Sequence, residues 1–487
     1  MKNRILIAAL AAVMFCGCAG QKEKVEVTDA VCEVRGEILP VCGTFINLPY
    51  QDVRNKYTNP QYLDMTDPHM WETKVAEMKK MGMEYLVFMS VANEGRSYYP
   101  SKLMRKQYPQ WRKSPVDAIM DAAAEHGMKV FMSTGWAVDQ DDNLRDPKIK
   151  GRQIEMMTEL AELYGDHPAM YGWYLPVEDC FGPVLTDYAV EAVNALTARA
   201  RDLTPGKKIM ISPYGIFNSD FDDPRYEQQI ARLTVDIIAY QDEIGCVRER
   251  YPLTRLRENW KKLRAIHDKT GIAMWANCES FAWEKGTNDR SSALIPAPYS
   301  RFLSQQIAAT AGGAEKIISF VFCGLFEDPQ SPYQLGQPHW SAVAYEDYMG
   351  WLGGDPYWKA VEASMTGKFG PAATEDINDK KWKFYEEGMH EITIPVKGGK
   401  VNNVLVRMLD CQKDGIVPPQ KIFLSVSKDG KEWSLIRIKD TPAFPNTNHD
   451  AFVDHVLFDG IDTDARFVKV AFNAESKAAF DEIVLYQ

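Results

Sequence analysis

The sequence of 487 residues is poor in positive charge, in regularly spaced cysteines and in long apolar runs. Its 56 Lys and Arg residues are outnumbered by 67 Asp and Glu residues, so the formal net charge is −11. A surface of that sign repels a phosphate backbone, and we therefore expect no nucleic acid among the partners. The nine cysteines show no CxxC spacing, which argues against a zinc ribbon and against a dense disulfide framework.

Several widespread catalytic signatures are absent as well. The sequence has no HExxH zinc motif, no GxSxG nucleophile elbow, no phosphate-binding loop and no GxGxxG dinucleotide fingerprint. Because the easily recognised metalloenzymes and nucleotide-binding enzymes are thereby removed, we expect no metal ion and no cofactor. What remains is an ordinary globular composition, with 45% hydrophobic and 25% charged residues, which excludes a largely disordered chain.

The first residues have the pattern of an export signal. Lys2 and Arg4 provide positive charge ahead of the apolar run Ile5–Phe15. That run is too short to be a stable membrane span, and polar residues follow it directly. We therefore expect this segment to be removed and to take no part in the fold.

The stretch Phe15–Cys18 resembles a bacterial lipobox, in which the last cysteine is lipidated and becomes the first residue. The resemblance implies that residues 1–17 are a lipoprotein signal peptide, that Cys18 carries the lipid and that residues 18–37 form a tether. The protein would then be exported and lipid-anchored to the outer membrane of a Gram-negative bacterium, on its periplasmic face or at the cell surface. Plain secretion, with Cys18 unmodified, is the alternative.

Between residues 40 and 355, an amphipathic helix that ends at a glycine is repeatedly followed by a short apolar run. Gly82 precedes Tyr85–Met89, for example, and Gly127 precedes Lys129–Met132. A glycine after a helix takes the left-handed conformation that ends it, and an apolar run without alternation is typical of a buried parallel strand. Counting such runs gives eight candidate strands: Val41–Leu48, Tyr85–Ser90, Val130–Thr134, Met170–Leu175, Lys208–Pro213, Asp236–Tyr240, Ile272–Asn277 and Ile317–Phe322.

Eight parallel strands that alternate with helices predict an α/β fold, a (β/α)8 TIM barrel over residues 38–355. A doubly wound sheet is the alternative. It is disfavoured because no glycine-rich fingerprint follows the first strand.

After about residue 355, helical periodicity gives way to alternating strand-like runs. Three stretches resemble the discoidin-like (coagulation factor type C) β-sandwich: the Ser-x-Asp-Gly-x-x-Trp of Ser427–Trp433, the Ala-Arg-Phe-Val-Lys of Ala465–Lys469 and the terminal Asp-Glu-Ile of Asp481–Ile483. The resemblance implies that residues 356–487 are a linker and an all-β jelly-roll sandwich. Such a module would bind glycan or brace the barrel.

Two glutamates follow strands on opposite sides of the predicted barrel. Glu178 comes after the fourth strand and Glu279 after the seventh. Chemistry in such barrels takes place where the strands end, so these side chains can converge across the mouth. Hydrolysis of a glycosidic bond needs two carboxyl groups, one to protonate the leaving oxygen and one to attack the sugar or activate water.

The arrangement resembles the clan of retaining (β/α)8 glycoside hydrolases with Glu after strands four and seven. Gly172–Asp179 is also similar to the motif of an uncharacterised glycoside-hydrolase-like barrel family of Bacteroides-type lipoproteins. The resemblance implies that Glu178 is the acid/base and Glu279 the nucleophile. It also implies that Tyr240, at the end of strand six, hydrogen-bonds the nucleophile.

One residue departs from the pattern of the clan. Val177 stands where the clan usually has the Asn that contacts a sugar hydroxyl next to the reacting carbon. This leaves Asp179 as a rival acid, with Asp242 and Glu243 as further alternatives. Each Glu alone could also be a surface carboxylate at a strand end; the coincidence of two at the expected strands favours the catalytic interpretation.

Aromatic and polar residues near the strand ends are candidates for sugar binding, since apolar sugar faces stack on aromatic rings. The candidates are Trp136, Trp275, Trp283, Tyr214, Tyr240, Asn47 and Gln241. The sequence thus predicts a glycoside hydrolase that acts on a poly- or oligosaccharide with retention. The alternative is a catalytically silent, glycan-binding surface lipoprotein. The oligomeric state stays open.

Overall fold

The structure, a computed structural model, describes residues 37–48, 56–93, 95–104, 106–107, 113–135, 146–178, 182–246, 253–286, 291–336, 340–366, 376–444 and 451–486. The predicted signal peptide 1–17, Cys18 and almost all of the predicted tether 18–37 therefore lie outside the described residues, as do Trp136 and Asp179. Within the described ranges, no helix has the length and apolar character needed to cross a membrane.

Eight parallel strands close into a barrel in the order β1-β8-β7-β6-β5-β4-β3-β2. The strands are β1 (Val41–Ile46), β2 (Tyr85–Phe88), β3 (Lys129–Met132), β4 (Met170–Tyr174), β5 (Lys208–Ile211), β6 (Ile237–Gln241), β7 (Ala273–Glu279) and β8 (Lys316–Phe320). Each overlaps one of the eight runs counted from the sequence. The predicted (β/α)8 barrel is confirmed.

Helices alternate with the strands, and the capping signals explain where they start. They are α1 (Pro68–Lys80), α2 (Pro115–Glu125), α3 (Pro147–Tyr164), α4 (Asp187–Leu203), α5 (Pro224–Arg232), α6 (Leu253–Thr270), α7 (Tyr299–Ala311) and α8 (Trp340–Gly353). At the start of α2, the Ser114 side chain accepts the amide of Asp117, and the Asp117 side chain accepts that of Ser114. This reciprocal pair satisfies two backbone donors that a helix otherwise leaves unbonded.

Aromatic rings close the amino-terminal end of the barrel. Trp275 lies 5.0 Å from Tyr85 and 6.1 Å from Phe131 between ring centroids, both edge to face. The ammonium groups of Lys129 and Lys316 cover the Tyr85 ring at 5.1 and 5.2 Å. This packing fills the barrel from below, so a ligand can approach the strands from their carboxyl ends only.

The carboxyl end of β7 continues directly into a short hairpin. Its arms, Phe281–Trp283 and Leu294–Pro296, pair antiparallel, and both are buried. The hairpin therefore holds the chain that follows Glu279 in place above the barrel.

Eight further strands form two antiparallel four-stranded sheets after the barrel. The other short strands of the described residues form two small sheets, one of Ala92–Asn93, Arg96–Ser97 and Lys106–Gln107 and one of Lys400–Val401 and Thr463–Asp464. The eight strands of the four-stranded sheets are β9 (Lys383–Tyr385), β10 (Gly388–Pro395), β11 (Asn403–Asp410), β12 (Lys421–Ser427), β13 (Ser434–Asp440), β14 (Phe452–Phe458), β15 (Phe467–Ala474) and β16 (Ala478–Tyr486). One sheet has the order β9-β16-β11-β14 and the other β10-β15-β12-β13. Phe472 of one sheet stacks on Phe480 of the other at 4.3 Å, within a shared apolar core. The predicted all-β domain after the barrel is confirmed.

A ninth helix, α9 (Pro356–Met365), lies where the sequence suggested a linker. Its Tyr357 hydroxyl donates to the backbone oxygen of His455 on β14 at 2.9 Å. Leu405, Leu457 and Val484 of the β domain belong to the same apolar cluster as the barrel core. The two parts of the chain thus share buried surface.

Candidate active site

Glu279 is the last residue of β7, and alternation along that strand sets its direction. The Asn277 side chain donates to Ser212 Oγ at 3.0 Å. Ser212 follows β5, and β6 lies between β5 and β7, so this contact crosses the inside of the barrel. Because residues two apart on a strand face the same way, Glu279 also faces inward, at the carboxyl end.

The Glu279 carboxylate is almost fully buried, with 4% of the residue exposed. Its Oε2 accepts the backbone amide of Cys246 at 2.8 Å. Burial is the main cause that raises the pKa of Glu279, to about 7, and the negative charge of Asp242 adds to it. The Cys246 amide and the Arg301 guanidinium act in the opposite direction. The group is thus poised to ionise close to neutral pH.

A second layer of polar contacts holds the backbone around Glu279. Asp242 Oδ1 accepts the amide of Glu279 at 3.1 Å, and its Oδ2 accepts Gln305 Nε2 at 2.6 Å. Arg301 donates from Nη2 to the backbone oxygens of Glu279 and Phe281, both at 2.8 Å. Burial raises the pKa of Asp242, while Gln305 and Arg301 lower it. These contacts fix the direction in which the Glu279 side chain leaves the strand.

Glu178 lies four residues beyond the end of β4; the residue as a whole is partly exposed, but its carboxyl group is surrounded by protein. The Tyr174 hydroxyl donates to Glu178 Oε1 at 3.5 Å. Burial raises the pKa of Glu178 to about 7, the hydrogen bonds from Tyr174 and Gln241 lower it, and the charge of Glu279 raises it. Because the charge of Glu279 acts on Glu178, the two carboxyl groups face the same site.

A third carboxyl group lies beside Glu279. Glu243 is 4% exposed, and its backbone has φ = 58°, in the left-handed region that residues other than glycine seldom adopt. Burial and then the charge of Glu279 raise the pKa of Glu243 to about 8. The backbone amides of Gly215, Ile216 and Phe217 lower it. The sequence had left Glu243 among the alternative acids, and the structure brings it into the same cluster.

Three other candidates lie at the carboxyl end of the barrel. Gln241, the last residue of β6, donates to the backbone oxygen of Ser212 at 2.8 Å and also hydrogen-bonds Glu178. Asn47 follows β1 and is buried, and Tyr214 follows β5 and is partly exposed. Their role in sugar binding stays a prediction.

The expectation that Tyr240 hydrogen-bonds the nucleophile is wrong. Its hydroxyl bonds His267 Nε2 on α6 at 2.7 Å, and its ring packs against Trp260 of the same helix. Burial lowers the pKa of His267 to about 4, so the neutral ring accepts the tyrosine proton at Nε2 and donates from Nδ1 to the Ile272 oxygen. Since Gln241 faces inward, its neighbour Tyr240 must face the helices.

Two of the tryptophans predicted in the cleft lie elsewhere. Trp275 is on the inner face of β7, but four residues before Glu279, among the rings that close the opposite end of the barrel. Trp283 is fully buried in the hairpin, edge to face with Phe281 at 6.0 Å. Neither ring has a free face on which a sugar could stack.

Sequence reasoning missed the residues that support Glu279 from behind. Arg301 and Gln305 are four apart on α7, a helix whose other residues are largely apolar and buried. That spacing places both on one side of the helix, which was a usable signal. The amide of Cys246 carried no such signal, because only the path of the loop after β6 brings it to the carboxylate.

No metal cluster supplements these groups: among the residues that the structure describes, no set of three or more His, Cys, Asp and Glu side chains could hold an ion. The site therefore offers a pair of carboxyl groups, those of Glu178 and Glu279, whose pKa values are both raised to about 7. Such pairs can transfer a proton and attack an electrophilic carbon in one pocket.

Residues 41–333 match the family described as "Domain of unknown function (DUF4434)". Since this is more than half of the chain, the protein belongs to that family. Among curated proteins, none matches the sequence.

Solved structures extend the comparison. A candidate α-L-fucosidase of Bacteroides thetaiotaomicron VPI-5482 is 20% identical, with a TM-score of 0.51 over 68% of this chain and 97% of that one. A glycoside hydrolase family 5 protein of Bacteroides vulgatus ATCC 8482 is 14% identical, with a TM-score of 0.39 over 84% and 86% of the two chains. A GH29 fucosidase of Ruminococcus gnavus is 11% identical, with a TM-score of 0.36 over 94% and 98%. At this identity, the likeness to the first shows a shared fold.

Proposed function

We propose that the protein is a glycoside hydrolase that cleaves a poly- or oligosaccharide by double displacement with retention. The observation that carries the proposal is the pair Glu178 and Glu279, which stand at the carboxyl ends of strands four and seven, where the charge of Glu279 raises the pKa of Glu178. A site that cleaves an acetal needs one carboxyl group protonated and the other ionised at the same pH.

In the first step, the Glu279 carboxylate attacks the anomeric carbon while Glu178 gives its proton to the leaving oxygen. A glycosyl ester forms on Glu279, and the leaving sugar departs as an alcohol. Esterification removes the negative charge of Glu279, which is one of the causes that raise the pKa of Glu178. Glu178 thereby becomes a stronger acid, and its conjugate base is the form the next step needs.

In the second step, the Glu178 carboxylate takes a proton from water as the oxygen attacks the anomeric carbon. The ester breaks, Glu279 leaves as the carboxylate and the configuration of the sugar is retained. The hydrogen bonds from Tyr174 and Gln241 support Glu178 when it is charged, as the Cys246 amide supports Glu279.

The test is a panel of 4-nitrophenyl glycosides, in α and β forms, of the common hexoses, pentoses and 6-deoxyhexoses. L-Fucosides are included because the Bacteroides thetaiotaomicron neighbour is described as a candidate α-L-fucosidase. Glu279→Gln is expected to abolish cleavage and leave sugar binding intact. Glu178→Ala is expected to slow it, with azide restoring the rate as an azide adduct of retained configuration. Products of inverted configuration in proton NMR would reject retention.

The second candidate function is glycan capture without cleavage. It is favoured by Val177, a buried apolar residue next to Glu178, where the clan usually has a sugar-binding Asn. A wild-type protein that binds an oligosaccharide but cleaves none of the panel establishes this alternative.

The C-terminal β domain is proposed to be discoidin-like and to brace the barrel. The protein is also proposed to be anchored to the outer membrane through a lipid on Cys18. Its proposed binding partner is the carbohydrate substrate. Cys18→Ala is expected to release it from the membrane fraction, and mass spectrometry of the amino-terminal peptide detects the lipid. An unlipidated amino terminus in wild-type cells rejects the anchor.

A further inference from the structure

Glu159 is a buried carboxyl group in which both oxygens accept hydrogen bonds. The residue lies on α3, and its Oε2 accepts the hydroxyls of Tyr99 at 2.9 Å and Ser101 at 2.6 Å. Its Oε1 accepts the backbone amides of Lys102 and Leu103. Both oxygens are thus used in holding a loop, as expected for a buried group whose role is structural.

Glu243 is buried to a similar degree but, within the described part of the chain, hydrogen bonds do not reach both of its carboxyl oxygens. Among the described residues, its Oε2 has no hydrogen-bond partner, and no Lys, Arg or His pairs with it. An unpaired acceptor away from water costs free energy comparable to a lost hydrogen bond. The left-handed backbone at Glu243 adds a further cost. Two unfavourable features in one residue, next to Glu279, point to a use in binding.

We propose that Glu243 is a third functional carboxyl group of this site, which binds a hydroxyl group of the sugar that is cleaved and thereby helps to select that sugar. The inference rests on the proposed function. One side of the carboxyl group faces the backbone amides of Gly215, Ile216 and Phe217, which orient it. The other side, at Oε2, is left for the ligand.

The chemistry favours a hydroxyl group as the partner. The pKa of Glu243 lies above neutrality because burial and the charge of Glu279 disfavour ionisation, so the resting group carries a proton. A protonated carboxyl can donate from one oxygen and accept at the other, and a sugar hydroxyl does both. Such a contact satisfies Oε2, and a sugar that lacks the hydroxyl leaves it unpaired, which is the basis of strong discrimination.

The test combines Glu243→Ala and Glu243→Gln with monodeoxy analogues of the 4-nitrophenyl glycoside that the wild-type protein cleaves fastest. We expect Glu243→Ala to raise KM by about tenfold to a hundredfold, the range for a hydrogen bond to a polar or charged group, with a smaller change in kcat. In the wild type, one monodeoxy analogue should have a KM higher than that of the parent glycoside by the same factor. In Glu243→Ala, that analogue and the parent glycoside should have the same KM. Glu243→Gln, which keeps a donor and an acceptor, should recover part of the loss.

Two results overturn the proposal. In the first, the removal of each hydroxyl group raises KM by as much in Glu243→Ala as it does in the wild type, so no hydroxyl group of the sugar is bound by this residue. In the second, Glu243→Ala lowers kcat by a factor of a thousand with KM unchanged and azide restores it, so Glu243 is the acid. Glu159→Gln is the control, expected to lower the melting temperature without a KM change for any analogue.

Failure of the proposed function is distinguishable from failure of this inference. If the wild-type protein binds methyl glycosides in calorimetry but cleaves no glycoside, hydrolysis is rejected. The same comparison of parent and monodeoxy methyl glycosides, by dissociation constant, then decides the role of Glu243. If no sugar of the panel binds, both are rejected.

Discussion

Asp242 Oδ1 accepts a hydrogen bond from the backbone amide of Glu279 at 3.1 Å, which ties the end of β6 to the end of β7. The same carboxyl group is, after burial, the largest cause of the raised pKa of Glu279. Asp242 thus fixes the position of the proposed nucleophile and also tunes its ionisation. The two effects can be separated by removing the charge and keeping the shape.

Asp242→Asn is expected to lower the pKa of Glu279, because the neutral amide no longer repels the carboxylate. The nucleophile must be ionised, so activity is lost as the pH falls through its pKa. The acidic limb of the kcat/KM profile should therefore move to lower pH, as measured over pH 4–9. An acidic limb that stays in place or moves to higher pH contradicts the assignment.

The substitution is expected to be tolerated because Gln305 can adapt. Its Nε2 now donates to Asp242 Oδ2, while its Oε1 has no partner among the described residues. Rotation of the Gln305 amide would present Oε1 to the new NH2 group, but it would break the bond that Nε2 also donates to the backbone oxygen of Glu279 at 3.0 Å. A modest fall in the melting temperature is therefore expected, and Gln305→Leu, which keeps neither bond, should lose more stability and also activity.

Tyr174→Phe is expected to move the alkaline limb of the same profile to higher pH. The tyrosine hydroxyl donates to Glu178 and lowers its pKa, so the loss of that bond raises it. The acid must be protonated, and activity is lost as the pH rises through its pKa. The higher pKa therefore extends activity upward, which kcat/KM measurements detect.

Tyr240→Phe is the matched control for Tyr174→Phe. Its hydroxyl bonds His267 behind the barrel, so the pH profile should not change. The lost buried hydrogen bond should instead reduce the free energy of unfolding by about 1 kcal/mol. A shift of the profile in Tyr240→Phe alone would mean that the two tyrosines have been assigned to the wrong sides of the barrel.

The barrel could be predicted because its signals are local. A glycine such as Gly82 follows most of the barrel helices, and an apolar run such as Tyr85–Phe88 begins soon after, so the strands could be counted. The two glutamates could be singled out from that count, since Glu279 ends its strand and Glu178 comes four residues after the end of its strand. The β domain was legible in the same way, from alternation and turn residues.

The wrong predictions for Tyr240 and Trp275 concern the side of the strand that a side chain faces and its distance from the carboxyl end of the strand. Once Glu279 is inside, the pairing of Asn277 with Gln241 places Gln241 inside and Tyr240 outside. Trp275 is also inside, but it lies four residues, or about 13 Å, below Glu279. Both facts follow from register between neighbouring strands, which one sequence does not display. The loop amide of Cys246 depends on tertiary structure altogether.

Gly245→Ala is expected to impair the site although it changes no charged residue. A Cβ at this position would lie 2.6 Å from the backbone oxygen of Phe281 and 3.0 Å from Glu279 Oε2. Both neighbours would have to move, which disturbs the adjacent Cys246 amide that Glu279 accepts. We expect a loss of kcat of tenfold or more, together with a lower melting temperature.

Gly151→Ala is the control for Gly245→Ala. Gly151 lies within α3, and a Cβ there meets nothing within 4 Å. Helix propensity predicts a gain in the free energy of unfolding of up to about 1 kcal/mol, with activity unchanged. Full activity in Gly245→Ala would show that the position of the Cys246 loop does not matter for catalysis.

The β domain is expected to fold as one unit with the barrel, because Leu405, Leu457 and Val484 bury apolar surface in the cluster of the barrel core. Leu457 of β14 is 4% exposed within the cluster that also contains the barrel core, whereas Leu435 of β13 is 57% exposed. Leu457→Ala should cost about 2–5 kcal/mol of unfolding free energy, and Leu435→Ala less than about 0.5 kcal/mol. Urea denaturation should show one transition for both the barrel and the β domain.

A chain of residues 38–366 should lose its melting transition or aggregate, since apolar surface covered by the β domain becomes exposed. An independently stable and active 38–366 chain would show that the β domain is a separate appendage, and bracing would then be the wrong role for it.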